Sequence, residues 1–305
     1  MMPGPAGSPK RANPTHSPAP RARLETFPTA PAPSRMQPDP ERYSRAALVL
    51  LGLNIGIWLL QLATGVSPMT PGAPTLTAWG GNLPLFTLTG DTWRLATAMF
   101  LHGGVIHLGL NMLALAMTAE RTADEYGSAR MLVIYVAGGI LASCASALWA
   151  ERHASLALPT ALLTVSVGAS GAVMAQFGAL LVALVVTPPR FMALAPDKRP
   201  SNLDVRLVAV VAANVALGFV IPHVDQAAHI GGLLAGMAIG ALMAVVPAAT
   251  DARATLARYV ATVMLVTGCV GALLHFAPQD KLVVMRAVWA AKLAPAVPAR
   301  AIPPR

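Results

Sequence analysis

The chain has 305 residues, of which 55% are hydrophobic and 11% charged, with a mean hydropathy of +0.59. A soluble domain carries about 25% charged residues, so the composition excludes an ordinary water-soluble globule and points to an all-α polytopic membrane protein. The net charge of +9 does not speak for nucleic acid, because the basic residues lie in tails and short loops between apolar runs, where a membrane protein keeps them.

Residues 1–43 hold eleven prolines. No helical or strand period survives that density, and the segment reads as a disordered, Pro/Arg-rich cytoplasmic tail. An organellar presequence would need an amphipathic period that is missing. A secretory signal peptide is not expected either, because the first apolar run starts only near Ala46.

A spanning helix needs roughly 20 mainly apolar residues. Seven stretches qualify, at about 45–64, 100–118, 130–149, 160–186, 205–221, 226–246 and 258–276. The fourth is interrupted by Gly168 and Gly171 and is expected to begin as an entering loop. Residues 65–92 are too polar and too broken by Pro and Gly to span. They are expected either as a loose connector or as a loop resting in the membrane interface. The domain expectation is a tail over 1–43, a six-helix core over 44–250, an additional transmembrane helix over 251–276 and a basic tail over 277–305.

Lys and Arg set the orientation. With a cytoplasmic N-terminus, the inner flanks hold seven basic residues up to Arg45, then Arg121 and Arg130, then Arg190, Lys198, Arg199 and Arg206, then Arg253 and Arg258, while the outer loops hold only Arg94 and Arg152. That asymmetry predicts a cytoplasmic N-terminus. Seven spans leave Lys281, Arg286, Lys292, Arg300 and Arg305 outside. Either a late tail escapes the rule or the last stretch does not span. The segment Lys281–Leu293 is expected to lie along a membrane surface.

Polar side chains inside hydrocarbon are costly and are functional candidates. Ser170 lies 18 residues before Pro188, and His229 lies 18 residues before Pro247. At 1.5 Å per residue both stand roughly 27 Å above the inner boundary, at one level near the outer face. His107 and Asn111 share a helix face near the outer end of a third inward-running span. A serine hydroxyl becomes a nucleophile when a base takes its proton, and histidine suits that task. The oxyanion then formed needs donors, which His107, Asn111 and the Ser170 backbone are placed to supply. No acid lies at that depth; Asp225, four residues before His229, sits in a loop. The expectation is a Ser–His dyad.

Gly232, Gly236 and Gly240, with Gly171, Ala175 and Gly178 or Ala179, form small-residue stripes of the kind that let membrane helices approach closely. His102 reads as a structural hydrogen-bond donor, and Asn54, Asn214 and Gln176 as interhelical hydrogen-bonders. His102, His107 and His229 are too few for the facing pairs of a haem carrier. Cys144 and Cys269 lie in apolar runs and read as small buried hydrophobes. No disulfide, metal or other cofactor is expected.

The chain resembles the rhomboid intramembrane serine proteases. The resemblance rests on Trp93-Arg94, Phe100-Leu101-His102, His107-x-x-x-Asn111, Glu120-Arg121 with Gly127, Gly168-Ala169-Ser170-Gly171, and Ala228-His229-Ile230-Gly231-Gly232 with Gly236. It implies a six-helix core with an extra helix as a known variation, Ser170 as nucleophile, His229 as general base, and His107 and Asn111 in the oxyanion hole. Trp93-Arg94 would belong to a structural first loop and Glu120-Arg121 to a structural cytoplasmic loop. It further implies transmembrane protein substrates cleaved near the outer face, within the bilayer, without metal or cofactor. One position departs from the pattern: Met174 stands where the family usually has Tyr or Phe stacking on the histidine. The alternative is a catalytically inactive rhomboid-like protein that binds membrane partners. The Ala- and Arg-rich composition suits a bacterial inner membrane, with the active site toward the outer face.

Overall fold

The computed structural model describes Met1, Gly4 and residues 44–154, 159–186, 202–220, 224–244 and 252–293. Apart from Met1 and Gly4, the tail expected over 1–43 lies outside the described residues, as do Arg300 and Arg305.

Hydrocarbon offers the backbone no hydrogen-bond partners, so apolar runs close their own bonds as helices. Helix α1 (Arg45–Ala63) starts at Ser44, whose Oγ accepts from the Ala47 N–H at 3.1 Å. The Ser44 N–H in turn donates to Glu120 Oε2 at 2.8 Å. Glu120 belongs to α5 (Val105–Tyr126), so its carboxylate ties the entry of α1 to the far end of α5.

Between them, residues 65–104 are folded. They carry α2 (Ala73–Ala78), α3 (Pro84–Thr87), α4 (Arg94–Thr97) and a 3-10 turn at Ala98–Phe100. Leu83, Leu85, Leu88, Asn82 and Thr87 are all buried. The loose-connector reading of 65–92 is therefore wrong: its apolar residues share a core with α6 and the C-terminal helices, and Thr87 bonds Asn82. The chain bends by 94° between 94–100 and α5, so the long regular helix of the second span begins at Val105. The Gly103-Gly104 pair breaks the helix there, with Gly104 at φ 121.

Helices α6 (Ser128–His153), α7 (Ser170–Val186), α8 (Asn202–Val220), α9 (Gln226–Ala244), α10 (Ala252–Phe276) and α11 (Gln279–Leu293) follow. Helices α1, α6, α9 and α10 are long and apolar enough to cross a membrane, the bent α4–α5 pair makes a fifth, and α7 and the apolar part of α8 are shorter. Among the described residues there is no β-strand, only a single antiparallel bridge between Asn82 and Ser166. The protein is an all-α polytopic membrane protein.

Helix α7 is the centre. Every residue from Gly171 to Leu180 is buried, against α5, α6 and α9. Its polar Gln176 accepts from Thr118 Oγ1 of α5 at 2.7 Å. Against α9 it packs through small residues in register. A β-carbon on Gly232 would overlap the Gly171 carbonyl, one on Gly236 the Ala175 carbonyl, and one on Gly240 would come within 2.7 Å of Ala179 Cα. The sequence left Gly178 or Ala179 open as the third contact; both touch α9, Ala179 at Gly240 and Gly178 at the Leu233 carbonyl. In lipid there is no hydrophobic drive to pair helices, and such backbone approach supplies the van der Waals contact that does.

Candidate active site

From Ser170 to Val186 helix α7 has 17 residues, about 26 Å at 1.5 Å each, which is short of a hydrocarbon core of roughly 30 Å. The chain ahead of Ser170 is extended. Non-helical backbone is tolerated at that depth only where protein or water satisfies it. Here protein does. Ser166 N donates to Asn82 O at 2.9 Å, Asn82 N returns a bond to Ser166 O at 3.0 Å, and Gly168 N donates to Ala98 O at 3.0 Å. Asn82 is itself held by its Nδ2 on Ser143 O at 3.0 Å and by Thr87 Oγ1 donating to its Oδ1 at 2.7 Å.

This support places Ser170 as the first residue of α7, half-buried, with Gly168 at φ 123 two residues before it. Donors converge at Gly168. A β-carbon there would lie 2.7 Å from His107 Cε1, 2.9 Å from His107 Nε2 and 3.8 Å from Asn111 Nδ2. The His107 tautomer follows from its other nitrogen. Nδ1 accepts from the Gly103 N–H at 3.1 Å, so the neutral ring carries its proton on Nε2, facing Gly168. Asn111 spends one amide hydrogen on the His107 carbonyl of its own helix at 2.9 Å and keeps the other.

The α7–α9 seam brings in His229, one turn before Gly232. A β-carbon on Gly171 would stand 3.6 Å from the Ala228 carbonyl, so the backbones of 170–171 and 228–229 adjoin. His229 is half-buried, and its Nδ1 is buried without a partner. Asp225 does not reach it. Its Oδ1 accepts from the Ala228 N–H at 2.9 Å and its Oδ2 from Ser146 Oγ at 2.5 Å, so this acid caps α9 and fastens it to α6. Among the described residues Ser170 and His229 share no hydrogen bond; such bonds are often long without substrate.

The other singled-out residues surround this set. Arg94 is buried, with Nη1 on the carbonyls of Thr77 at 2.6 Å and Gly81 at 3.2 Å. Trp93 is exposed and its ring stacks 4.5 Å from the Arg94 guanidinium. His102 is buried at the Phe100 backbone. Its ring meets His107 edge-on at 5.4 Å, and both nitrogens are buried without a well-aligned partner, the Phe100 backbone lying beside them. Met174 is fully buried in the core cluster with Leu115 and Phe177. His102, His107 and His229 form no metal-holding group among the described residues.

Sequence reasoning missed the Asn82–Ser166 bridge and the Ser146–Asp225 bond. Neither has a local signal, since the partners are 84 and 79 residues apart.

Comparison with known proteins agrees with this geometry. A rhomboid domain model matches residues 89–245, just over half of the chain. Rhomboid protease AarA of Providencia stuartii is 33% identical over 207 residues, 66% of this chain and 73% of the relative. Rhomboid protease GluP of Bacillus subtilis is 30% identical over 227 residues, 74% of this chain but only 39% of the relative. RHOMBOID-like protein 5 of Arabidopsis thaliana is 33% identical over 180 residues, 58% of this chain and 52% of the relative. The match runs through the bent α4–α5 entry, the Ser170 helix and the His229 helix, and the chain belongs to the rhomboid family.

Proposed function

We propose that the chain is an intramembrane serine endopeptidase that hydrolyses peptide bonds in or near transmembrane helices of other membrane proteins, through a Ser170–His229 dyad. The observation that carries the reading is the α7–α9 seam, which sets the His229 turn against Ser170 while Gly168 holds the His107 and Asn111 donors beside it.

Ser170 Oγ attacks the scissile carbonyl as His229 takes its proton. Negative charge develops on the carbonyl oxygen. It is met by His107 Nε2–H, the free Asn111 amide hydrogen and the Ser170 backbone N–H, one of the unpaired donors at the start of α7. Imidazolium then gives its proton to the leaving amine. Water, activated by the same imidazole, hydrolyses the acyl-enzyme. Asp225 is read as standing outside the dyad, because its oxygens cap α9 and bind Ser146 and, among the described residues, no bond runs from it to His229. A substrate helix must unwind locally to offer a bond, since its backbone is otherwise closed in hydrogen bonds. Small and helix-breaking residues in the substrate favour that step.

The lysine and arginine asymmetry supports a cytoplasmic N-terminus with Ser170 toward the outer face, and the Ala- and Arg-rich composition suits a bacterial inner membrane. The domain reading is a cytoplasmic tail over 1–43, the six-helix core over 44–250, a seventh span over 251–276 and a C-terminal tail on the outer side.

The test is cleavage of a single-span reporter by the reconstituted full chain, comparing wild type with Ser170→Ala and His229→Ala. Loss in both variants, with fluorophosphonate labelling of wild type but not of Ser170→Ala, supports the reading. Equal processing by all three proteins overturns it. Reporter binding without cleavage or labelling by wild type would assign the inactive, partner-binding alternative.

A further inference from the structure

The C-terminal helix α11 is remote from Ser170 in sequence, yet it is bonded to the loop that supports it. Arg286 Nη2 donates to Asp91 Oδ1 at 2.7 Å, and its Nη1 to Thr89 Oγ1 at 2.9 Å and Thr89 O at 3.0 Å. The guanidinium lies 5.0 Å from the Phe86 ring centroid. Arg94 uses the same two partners, with Nε on Asp91 Oδ2 at 3.1 Å and its guanidinium 5.3 Å from the Phe86 ring. One carboxylate and one aromatic ring are thus shared by an arginine of the first loop and an arginine of the last helix.

The contact is not a loose surface ion pair. Exposed pairs contribute little, but these side chains are only 32% and 20% exposed, and charge-assisted bonds in a network polarise one another. Leu282 is 2% exposed within the cluster of Leu83, Leu85 and Leu88, with Met285 and Trp289 packed on it. Leu282, Met285 and Trp289 of α11 therefore face the first loop, while Val283, Val284 and Val288 stay exposed on its other side. Gln279 Nε2 adds a bond to Leu88 O at 2.9 Å.

Force passes from there to the nucleophile by short steps. Arg94 holds the Thr77 and Gly81 carbonyls. The next residue, Asn82, pairs with Ser166, four residues before Ser170.

We infer that Arg286 is a positioning residue: through Asp91 and Phe86 it clamps α11 onto the first loop and so fixes the extended segment that presents Ser170. Its catalytic consequence rests on the Ser170–His229 reading; the clamp itself does not. The clamp also requires the C-terminal helix to lie on the same side of the membrane as the first loop, which makes α10 a spanning helix.

The test uses the full chain reconstituted in liposomes. Arg286→Glu should lower kcat by roughly tenfold, within the ~100-fold that remote misplacement can cost, with KM held within about twofold, while Arg286→Lys recovers part of the loss. A second pair, Thr89→Cys with Arg286→Cys in a Cys144→Ala, Cys269→Ala background, should be joined by a short bis-maleimide, and joining should restore the kcat that the unjoined pair lacks. Absence of the cross-link overturns the clamp. A cross-link with no loss of kcat in Arg286→Glu overturns the positioning role. A lower melting temperature with unchanged kcat marks a purely structural contact and also overturns it. A cross-link in the Thr89→Cys, Arg286→Cys protein, with wild type that neither cleaves the reporter nor labels with fluorophosphonate, would keep the clamp and instead sink the protease reading.

Discussion

Gly168 is packed against the His107 imidazole, so closely that a β-carbon at 168 would stand 2.7 Å from Cε1 and 2.9 Å from Nε2. Its φ of 123 is also one that side-chain-bearing residues rarely adopt. Both facts make this residue the hinge between the supporting bridge at Ser166 and the nucleophile at Ser170. Gly168→Ala should push the His107 ring away and cost about 1–3 kcal/mol in backbone strain. Reporter cleavage should fall by at least ~100-fold, the loss expected from one oxyanion donor. Wild-type turnover in this variant would remove His107 from the site.

Asn111→Ala deletes a donor whose one hydrogen bond among the described residues is to the His107 carbonyl of its own helix. Turnover should drop by about 10²–10³, or ~3–4 kcal/mol of transition-state stabilisation, with KM little changed. Steady-state kinetics on the reporter decides it; an unaltered kcat would take Asn111 out of the oxyanion role.

The α7–α9 seam can be opened from one side. Gly236→Val places a branched side chain on the Ala175 carbonyl, where overpacking should cost about 1–3 kcal/mol or more and carry His229 away from Ser170. Gly109→Ala is the matched control, since nothing lies within 4 Å of a β-carbon there and Ala is favoured over Gly in a helix by about 1 kcal/mol. Thermal unfolding in detergent should separate the two in opposite directions. Equal melting temperatures would mean that the seam is not close-packed.

A dyad and a triad respond differently to loss of the acid. Asp225 binds Ser146 and the Ala228 N–H, so Asp225→Asn should weaken the fastening of α9 to α6 by about 1–3 kcal/mol. The reduction in kcat should be no more than about tenfold. Removing the acid of a true triad costs about 10⁴ in kcat. A fall of that size would make Asp225 the third member, and Ser146→Ala, which spares the carboxylate, should then behave quite differently.

Several of these relationships were legible before any coordinates. The common depth of Ser170 and His229 follows from counting along helices of fixed rise. The small-residue stripe foretold which faces of α7 and α9 meet, and the Gly168–Gly171 interruption foretold a span that begins as loop. Other features were misread. Residues 65–92 lack a helical period, yet they fold, because Arg94, Asn82 and Thr87 satisfy backbone and side-chain groups that local patterning does not reveal. The spacing of Asp91 and Arg94 was a readable i,i+3 signal; their sharing with Arg286, 195 residues after Asp91, was not.

The sequence by itself determined that this chain crosses a membrane as helices, because hydrocarbon leaves the polar backbone of an apolar run few other ways to satisfy its hydrogen bonds. It also determined which polar residues lie at one depth, because helical rise is constant. The tertiary structure decided the rest: that Gly171 and Gly232 touch, that His107 turns Nε2 toward Gly168, that Asp225 is occupied by Ser146, and that the last helix is bonded to the first loop. Those facts depend on contacts between segments distant in the chain, whose energies are set by packing and hydrogen-bond geometry rather than by any local pattern.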